Sequence, residues 1–151
     1  MKILITGTTG YIGKRLLTIL VEMGHEVVCC VRDAERFNPP SAILKKVQVL
    51  ELDLLDKESL NSIPKDINGA YYLVHSMSNS SDYKSLEEKC AVNFREAIDK
   101  TEAEHVVYLS GIVNETDLSE HLSSRKNVEI ELGKGRYQLT TLRAGIIIGS
   151  G

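Results

Sequence analysis

Short apolar segments rich in valine and isoleucine recur along the whole chain, and longer segments with helical spacing separate them. Most of the short segments are apolar at consecutive positions, which is typical of strands that are covered on both faces of a sheet. Alternating strands and helices predict a doubly wound α/β fold, with one parallel sheet and helices on both of its faces. The six predicted strands are Lys2–Thr6, Glu26–Val31, Val47–Glu51, Ala70–Val74, His105–Leu109 and Leu139–Arg143.

The segment between the first two strands carries the clearest helical pattern. Apolar residues recur there at intervals of three and four, which predicts one buried stripe along a helix. The stripe consists of Ile12, Leu16, Ile19, Leu20 and Met23. Gly24 follows as the expected C-terminal cap. Further helices are predicted over Lys57–Ile63 and Tyr83–Thr101, whereas Pro39 and Pro40 limit the link between the second and third strands to short turns.

Composition and charge fit a single globular domain. The chain has 151 residues, of which 42% are hydrophobic and 26% charged, and these values favour one packed domain over residues 1–151. A formal charge of −3, without a long basic run, argues against nucleic acid as a partner. The longest apolar stretches are far shorter than the roughly 20 residues of a spanning helix, so we expect no membrane partner.

The two ends of the sequence and its cysteines add expectations about location and extent. The opening residues Met1–Ile5 lead directly into a glycine-rich turn and leave no room for a signal peptide, which predicts a cytoplasmic protein. Cys29, Cys30 and Cys90 show no metal-ligand spacing, so we expect reduced thiols and no metal site. Because the sequence stops shortly after the sixth predicted strand, we expect a C-terminal substrate region to be absent.

A glycine-rich turn lies between the first strand and the first helix, with the sequence Thr6-Gly7-Thr8-Thr9-Gly10-Tyr11-Ile12-Gly13. Glycines here allow a tight turn, a close approach of a diphosphate to the main chain and close packing of the helix on the sheet. The unpaired N–H groups of the first helical turn then favour an anion. A tight turn that binds nothing is the alternative. The candidate cofactor-binding residues of this turn are Gly7, Thr9, Gly10, Tyr11, Ile12 and Gly13.

The spacing Gly-x-x-Gly-x-x-Gly at this turn resembles that of the extended and atypical short-chain dehydrogenases/reductases, and the resemblance spans nearly the whole chain. Supporting segments are Gly24–Val28, Asp53-Leu54, Val107–Gly111 and Leu142–Gly145. Within that superfamily the chain is most similar to the NmrA-like group and to the group of nucleoside-diphosphate-sugar epimerases. The resemblance implies a Rossmann domain that binds a nicotinamide dinucleotide.

The end of the second strand bears on the choice between NADP and NAD. An NAD site needs a carboxylate for the ribose 2′-OH, whereas the 2′-phosphate of NADP prefers a guanidinium. Arg32 occupies this position and predicts NADP, while Asp33, one residue later, keeps NAD possible. Alternatively, Arg32 and Asp33 could form an ion pair in solvent and bind no ligand.

Three further residues are candidates for cofactor contacts. By resemblance, Asp53 and Leu54 flank the adenine, although Asp53 could equally serve a turn. His75 follows the fourth strand, where the carboxyl edge of the sheet faces the ligand crevice. Alternatively, His75 could be a polar residue at a strand end whose hydrogen bonds are made within the protein.

Catalysis in this superfamily implies a tyrosine acid–base, a lysine four residues later and a serine that polarises the substrate oxygen. Ser110 matches the serine, but no Tyr-x-x-x-Lys follows it, and the corresponding positions hold His121 and Arg125. Residues four apart share a helix face, and histidine can move a proton near neutral pH, so Ser110 and His121 are the candidate catalytic residues. A solvated helix face is the simpler explanation of His121 and Arg125. The neighbouring acids Glu87 and Glu88 also look like solvated helix surface.

These patterns favour an NADP-binding oxidoreductase of the atypical short-chain type that acts on a small carbonyl or alcohol substrate. The missing tyrosine and lysine favour a second function, a non-catalytic NmrA-like module that senses the balance of NADP and NADPH and signals to a regulatory protein partner. A nucleoside-diphosphate-sugar epimerase is the third hypothesis. It is weakened because that chemistry relies on the same tyrosine and on tightly held NAD.

Overall fold

The computed structural model of the chain describes residues 1–75, 83–112 and 120–149. Strands and helices alternate along it, as the hydrophobic pattern predicts. The strands are β1 (Lys2–Thr6), β2 (Glu26–Val31), β3 (Val47–Glu51), β4 (Gly69–Tyr72), β5 (His105–Gly111) and β6 (Gln138–Ala144). The helices are α1 (Tyr11–Glu22), α2 (Ser41–Leu44), α3 (Tyr83–Ile98) and α4 (Glu120–Leu132).

The six strands form one parallel sheet in the order β3-β2-β1-β4-β5-β6. The chain builds outward from β1 in one direction through β2 and β3, then returns to pair β4 with the other edge of β1, where Leu4 lies opposite Ala70. This topology confirms the predicted doubly wound Rossmann fold. The switch of direction between β1 and β4 opens a crevice at the carboxyl ends of the strands, which is the usual ligand site of such folds.

Side chains that alternate along β1 divide between two hydrophobic cores, one on each face of the sheet. Leu4 belongs to the core formed with α3 and α4, whereas Ile3 and Ile5 belong to the core formed with α1. In the first of these cores, Phe94 packs edge-on against Tyr72, with ring centroids 4.9 Å apart. Coverage on both faces explains why the strands are apolar at consecutive positions.

The stripe predicted for the first helix is only partly right. The residues that α1 buries are Gly13, Leu17, Leu20 and Val21. Two members of the predicted stripe, Ile19 and Met23, are 52% and 66% exposed. The helix therefore turns a neighbouring face to the sheet, one that places the small Gly13 against the preceding turn. Gly24 ends the helix as predicted, with a φ of 80°.

The helix predicted over Lys57–Ile63 is wrong, since the segment forms only a 3₁₀ turn over Ser59–Ser62. The Ser59 hydroxyl donates its single hydrogen toward two carbonyl oxygens, those of Asp53, at 2.9 Å, and Asp56, at 2.8 Å. Such local bonds from a serine side chain compete with the regular α-helical pattern and favour tight turns.

Two strand ends differ from the prediction by two residues. β4 ends at Tyr72 rather than at Val74, and β5 continues to Gly111, two residues further than predicted. Ser110 therefore lies inside a strand, opposite Arg143 of β6. None of the helices that the structure describes combines the length and apolar character that a membrane crossing needs.

Candidate functional site

A cleft of about 570 Å³ opens at the carboxyl edge of the sheet, at the switch between β1 and β4. This volume is within the range of small-molecule sites. Predicted cofactor-binding residues from four separate turns line it, namely Gly7, Thr9, Gly10, Arg32, Asp53, Leu54 and His75. Tyr11, Ile12 and Gly13 lie in the first turn of α1 and are not among the residues that line the described cleft.

Close packing shapes the glycine turn. Gly7 has a φ of 74°, and a Cβ on it would lie 2.8 Å from the carbonyl oxygen of Leu73. A Cβ on Gly13 would lie 2.2 Å from the carbonyl oxygen of Gly7, so only glycine lets α1 approach the turn this closely. The Thr6 hydroxyl donates to the Tyr71 carbonyl at 3.2 Å and accepts from the Leu73 N–H at 3.2 Å. The turn is thereby fixed to the ends of both β1 and β4.

The N-terminus of α1 fits an anion. Gly10 begins the helix with an extended backbone, and among the described residues neither a capping side chain nor an acid in the first turn neutralises it. The first N–H groups of a helix have no partner within the helix. The Thr8 hydroxyl is also buried without a hydrogen-bond partner in the described part of the chain. The residues present therefore fit a dinucleotide, whose diphosphate the amides of the first turn of α1 would hold.

Arg32 and Asp33 have different environments. Oδ1 of Asp33 accepts hydrogen bonds from the main-chain N–H groups of Glu35, at 3.0 Å, and Arg36, at 3.2 Å. Its Oδ2 lies 3.1 Å from Nε of Arg36. Arg32 lines the cleft, and the ion pairs among the described residues do not include it. The Arg32–Asp33 pair considered from the sequence is therefore wrong, because Asp33 pairs with Arg36.

Asp53 both stabilises the turn after β3 and lines the cleft. Its Oδ1 accepts a hydrogen bond from the Leu55 N–H at 2.9 Å, which is the turn role expected as an alternative. The neighbouring Leu54 is buried, and its carbonyl oxygen accepts a hydrogen bond from Nδ2 of Asn93 at 2.8 Å. This bond ties the turn after β3 to α3. The contact of Asp53 and Leu54 with adenine stays a prediction.

His75 is half-buried just after β4, and its ring centroid lies 6.3 Å from that of Tyr108. Burial lowers the pKa of His75 and Arg125 adds to this effect, against smaller opposing contributions from Glu87 and the Leu109 backbone. A histidine with a lowered pKa is neutral at pH 7, with one ring nitrogen to donate and one to accept a hydrogen bond.

Ser110 is almost completely buried on β5, on the same side as Tyr108, and its side chain does not line the described cleft. Its hydroxyl has no hydrogen-bond partner among the described residues. The Tyr108 hydroxyl donates to the Arg125 carbonyl oxygen at 3.3 Å, and burial raises the pKa of Tyr108 to about 12. Position 121 lies in the first turn of α4, but the side chain of His121 lies outside the described residues.

Glu87 is the functional candidate that the sequence reasoning missed. The interpretation of Glu87 as solvated surface is wrong: it is half-buried, lines the cleft and accepts a hydrogen bond from the Ser124 hydroxyl of α4. Glu88 is exposed as expected. The sequence carries only part of the signal: Glu87 stands three and seven residues before Cys90 and the core residue Phe94, which places it beside a buried helix face, but this spacing does not reveal the contact with α4. Burial, with Asp53 and Glu87 adding to it, raises the pKa of Cys90 to about 11.

Comparison with known proteins agrees with the cleft geometry. A family model described as NAD(P)H-binding matches residues 7–143. The chain belongs to this NAD(P)H-binding family. The match begins at the glycine turn and continues into β6, so it includes all the residues that line the described cleft except Thr6. The similarity to the atypical short-chain dehydrogenases/reductases, inferred from the sequence, is confirmed.

The chain is also similar to individual proteins, one by sequence and two by structure. The uncharacterized protein YLL056C of Saccharomyces cerevisiae is 34% identical over 95 residues, which are 62% of this chain and 30% of that protein. A nucleoside-diphosphate-sugar epimerase of Staphylococcus aureus matches 95% of this chain and 50% of its own, with a TM-score of 0.79 and 18% identity. The NADPH-dependent quinone oxidoreductase QOR2 of Escherichia coli, solved with NADPH, matches 93% and 48%, with a TM-score of 0.74 and 20% identity. The chain thus spans about half the length of these solved proteins.

Proposed function

We propose that this chain is an NADP-dependent oxidoreductase that transfers hydride between the nicotinamide and a small carbonyl or alcohol substrate. The observation that carries the proposal is the separation of Arg32 from Asp33. Arg32 lines the cleft beyond the glycine turn, whereas the Asp33 carboxylate is held by Arg36 and by two main-chain N–H groups. Of these two residues, the one that remains for the ribose is therefore the cation.

We also propose a cytoplasmic location. Free thiols at Cys29, Cys30 and Cys90 agree with a cytoplasmic site of action.

The preference for NADP follows from the chemistry of the guanidinium. A charge-assisted hydrogen bond from Arg32 to the 2′-phosphate would contribute about 1.5–3 kcal/mol, or roughly one to two powers of ten in affinity. NAD offers a hydroxyl in the same place, and a hydroxyl gains no comparable contact from a cation. Proteins of this fold have been solved with NADPH and with NAD, so the assignment to NADP depends on Arg32 and not on the fold.

Residues of the chain would bind the cofactor and the substrate and move the proton. When bound, the nicotinamide supplies a hydride donor or acceptor. The N–H groups at the start of α1 bind the diphosphate, and Arg32 binds the 2′-phosphate. The Ser110 hydroxyl, which has no partner among the described residues, would donate a hydrogen bond to a substrate oxygen. Because Ser110 is buried and does not line the described cleft, this role requires its hydroxyl to become accessible when substrate binds. His121, four residues before Arg125 on α4, would move the proton.

A direct assay tests the proposal. The protein is incubated with NADPH and a panel of aldehydes, ketones and quinones, and the loss of NADPH absorbance is followed. We expect turnover with at least one class of carbonyl, and we expect Ser110→Ala or His121→Ala to lower kcat by about a hundredfold or more. Turnover that both variants retain in full would contradict the assigned roles.

A sensor of the NADP to NADPH ratio is the second candidate, because the Tyr-x-x-x-Lys pair is missing after Ser110. A sensor would bind NADP and NADPH with unequal affinity, would turn over no carbonyl and would act through a regulatory protein partner. Titrations of both redox forms, run beside the assay, distinguish the two functions. The same missing tyrosine weighs against an epimerase.

A further inference from the structure

Half of the sheet is uncovered on the face that carries α1. Of the described helices, α3 and α4 pack on the opposite face, and α1 packs on β1 and β2. Val106 and Tyr108 of β5 belong to the core with α3 and α4 and are 0% exposed, whereas Val107 and Leu109, on the α1 face, are only half-buried. Leu142, the neighbour of Leu109 on β6, is 53% exposed. We call the α1 face of β4, β5 and β6 the open sheet face.

The open sheet face is apolar toward the carboxyl ends of its strands. There Tyr71 lies opposite Val107, and Leu109 lies opposite Leu142. The polar residues of this face, toward the amino ends, are His105, Gln138 and Thr140. No position of these three described strands on this face holds an aspartate, a glutamate, a lysine or an arginine. Two such faces therefore meet without repulsion between like charges.

An apolar flank of α1 borders the open sheet face. Leu16, Ile19 and Met23 recur at intervals of three and four, so they share one flank of the helix. Parallel strands joined by a helix form a right-handed crossover, and in this geometry the rotation of α1 turns that flank away from β2 and toward β4. Leu16 and Tyr71 of β4 both pack against the core beneath α1, which agrees with this orientation. Ile19 and Met23 are 52% and 66% exposed, so the flank is also uncovered.

Together the open sheet face and the α1 flank form a step. A helix has a diameter of about 10 Å, and stacked sheets also lie about 10 Å apart, so α1 rises above the open sheet face by the height that a second sheet would fill. A twofold axis parallel to the strands places the open sheet faces of two copies on each other. The α1 flank of each copy then lies beside β6 of the other. The step is therefore complementary to itself, as a twofold interface requires.

The size of this surface fits a weak dimer. β4, β5 and β6 have four, seven and seven residues. At ordinary strand spacing and rise, they present roughly 300 Å². The flank of α1 adds about 150 Å². Two copies would therefore bury about 1,000 Å² in total, which is near the lower limit of specific interfaces and is typical of weak association.

We propose that the open sheet face and the α1 flank are an interface at which two copies of this chain form a twofold dimer. A second copy fits because the step is self-complementary, the sheet surface has no charge to repel its copy, and the area reaches what a specific dimer needs. The dimer would also cover β6, an edge strand whose outer side has no neighbour in the sheet. This interface is independent of the proposed function, because the cleft opens at the carboxyl edge of the sheet.

Sedimentation velocity of the 151-residue chain tests the proposal. Over protein concentrations of about 1 to 300 µM, we expect a reversible monomer–dimer equilibrium with a Kd of about 1–100 µM. Leu142→Glu places a charge on the open sheet face, and Met23→Glu places one on the α1 flank. Each should raise the Kd at least about tenfold, because the dimer would bury an unpaired charge. Both side chains are more than half exposed, so neither substitution opens the core.

Ile130→Glu is the matched control. Ile130 is 52% exposed, almost the same as Leu142, but it lies on α4, on the opposite side of the sheet. This variant should dimerise as the wild type does. Circular dichroism of the three variants verifies that each is folded.

Several results would overturn the proposal. Wild-type protein that stays monomeric up to about 300 µM would leave the open sheet face to further polypeptide, since the solved relatives are about twice as long as this chain. A dimer that neither Leu142→Glu nor Met23→Glu weakens would place the interface elsewhere. A dimer that only one of them weakens, or that Ile130→Glu weakens equally, would contradict the arrangement of α1 beside β6. Association beyond a dimer would contradict a closed twofold interface.

Discussion

Arg32 and Asp33 are neighbours at the end of β2, but only one of their side chains is available to the cofactor. The sequence alone left both as candidates for the ribose, because a shift of one residue exchanges them. The structure separates them through local bonds: the Asp33 carboxylate is engaged by the backbone of the following turn and by Arg36, whereas Arg32 lines the cleft. The cofactor preference can therefore be tested at one side chain.

Arg32→Gln should weaken NADP binding and leave NAD binding almost unchanged. The loss of one charge-assisted hydrogen bond predicts a rise in the Kd for NADP of about ten- to a hundredfold. Arg36→Gln is the control, because the Arg36 side chain is 85% exposed and pairs with Asp33 outside the cleft. Calorimetric titration of both variants with both cofactors checks this, and an equal loss of NAD affinity in Arg32→Gln would contradict it.

His75 predicts a pH dependence of stability. Its pKa in the folded protein is lowered from the ordinary value of 6.5, mainly by burial. Between the two pKa values the folded protein binds fewer protons than the unfolded chain, so the free energy of unfolding falls as the pH drops below about 6.5. His75→Gln should make this fall shallower. Urea unfolding of both proteins between about pH 7.5 and 5 measures the two slopes, and equal slopes would show that His75 titrates normally.

At the scale of elements, α1 and the turn before it form a unit in which glycine is required by contact. Gly13 packs against the Gly7 carbonyl, and the added methyl of an alanine would meet that oxygen at 2.2 Å. Gly24, at the other end of α1, has a φ of 80° but open space around it. Replacement of the two glycines should therefore have different consequences: a steric clash at Gly13 and backbone strain at Gly24.

Gly13→Ala should displace the glycine turn, with a cost of about 1–3 kcal/mol in stability and a rise of at least about tenfold in the Kd for NADP. Gly24→Ala should cost about 1–2 kcal/mol through backbone strain and leave the affinity of the folded protein for NADP unchanged. Thermal unfolding and NADP titration of the two variants distinguish the effects. Equal NADP affinity in both would mean that α1 does not position the turn.

The sequence predicts the order and type of the main elements because buried parallel strands and capped helices carry strong local patterns. Six strands and the glycine turn could be read from the chain in this way. The 3₁₀ turn at Ser59–Ser62 could not, because its geometry follows from hydrogen bonds of the Ser59 side chain to two carbonyl groups. The buried face of α1 was misjudged for a related reason: Gly13 counts as neither apolar nor polar in a periodicity, yet its packing sets the orientation of the helix.

The sheet separates two cores, and the core shared with α3 and α4 supports the side of the cleft that these two helices form. Glu87 escaped the sequence analysis because its partner, Ser124, is 37 residues away and on another helix. A polar residue that borders a buried helix face looks the same in a sequence whether solvent or a second helix covers it. Tertiary packing decides this, and local patterns do not contain it.

Phe94→Ala should reduce the free energy of unfolding by about 3–5 kcal/mol, because Phe94 is fully buried and packs on Tyr72 in this core. Ile19→Ala is the control at an exposed position, because the Ile19 side chain is 52% exposed. This substitution should reduce the free energy of unfolding by less than about 1 kcal/mol. Urea unfolding measures both values. A small cost at Phe94 would mean that α3 packs on the sheet less tightly than the structure shows.

The proposed function depends on main-chain N–H groups at the start of α1 that bind the diphosphate of a nicotinamide dinucleotide. An amide NMR titration of the protein with NADP reports both binding and its location. We expect saturable shifts of the amides from Gly7 to Gly13. Absence of binding, or binding that shifts other regions and leaves these amides in place, would contradict it.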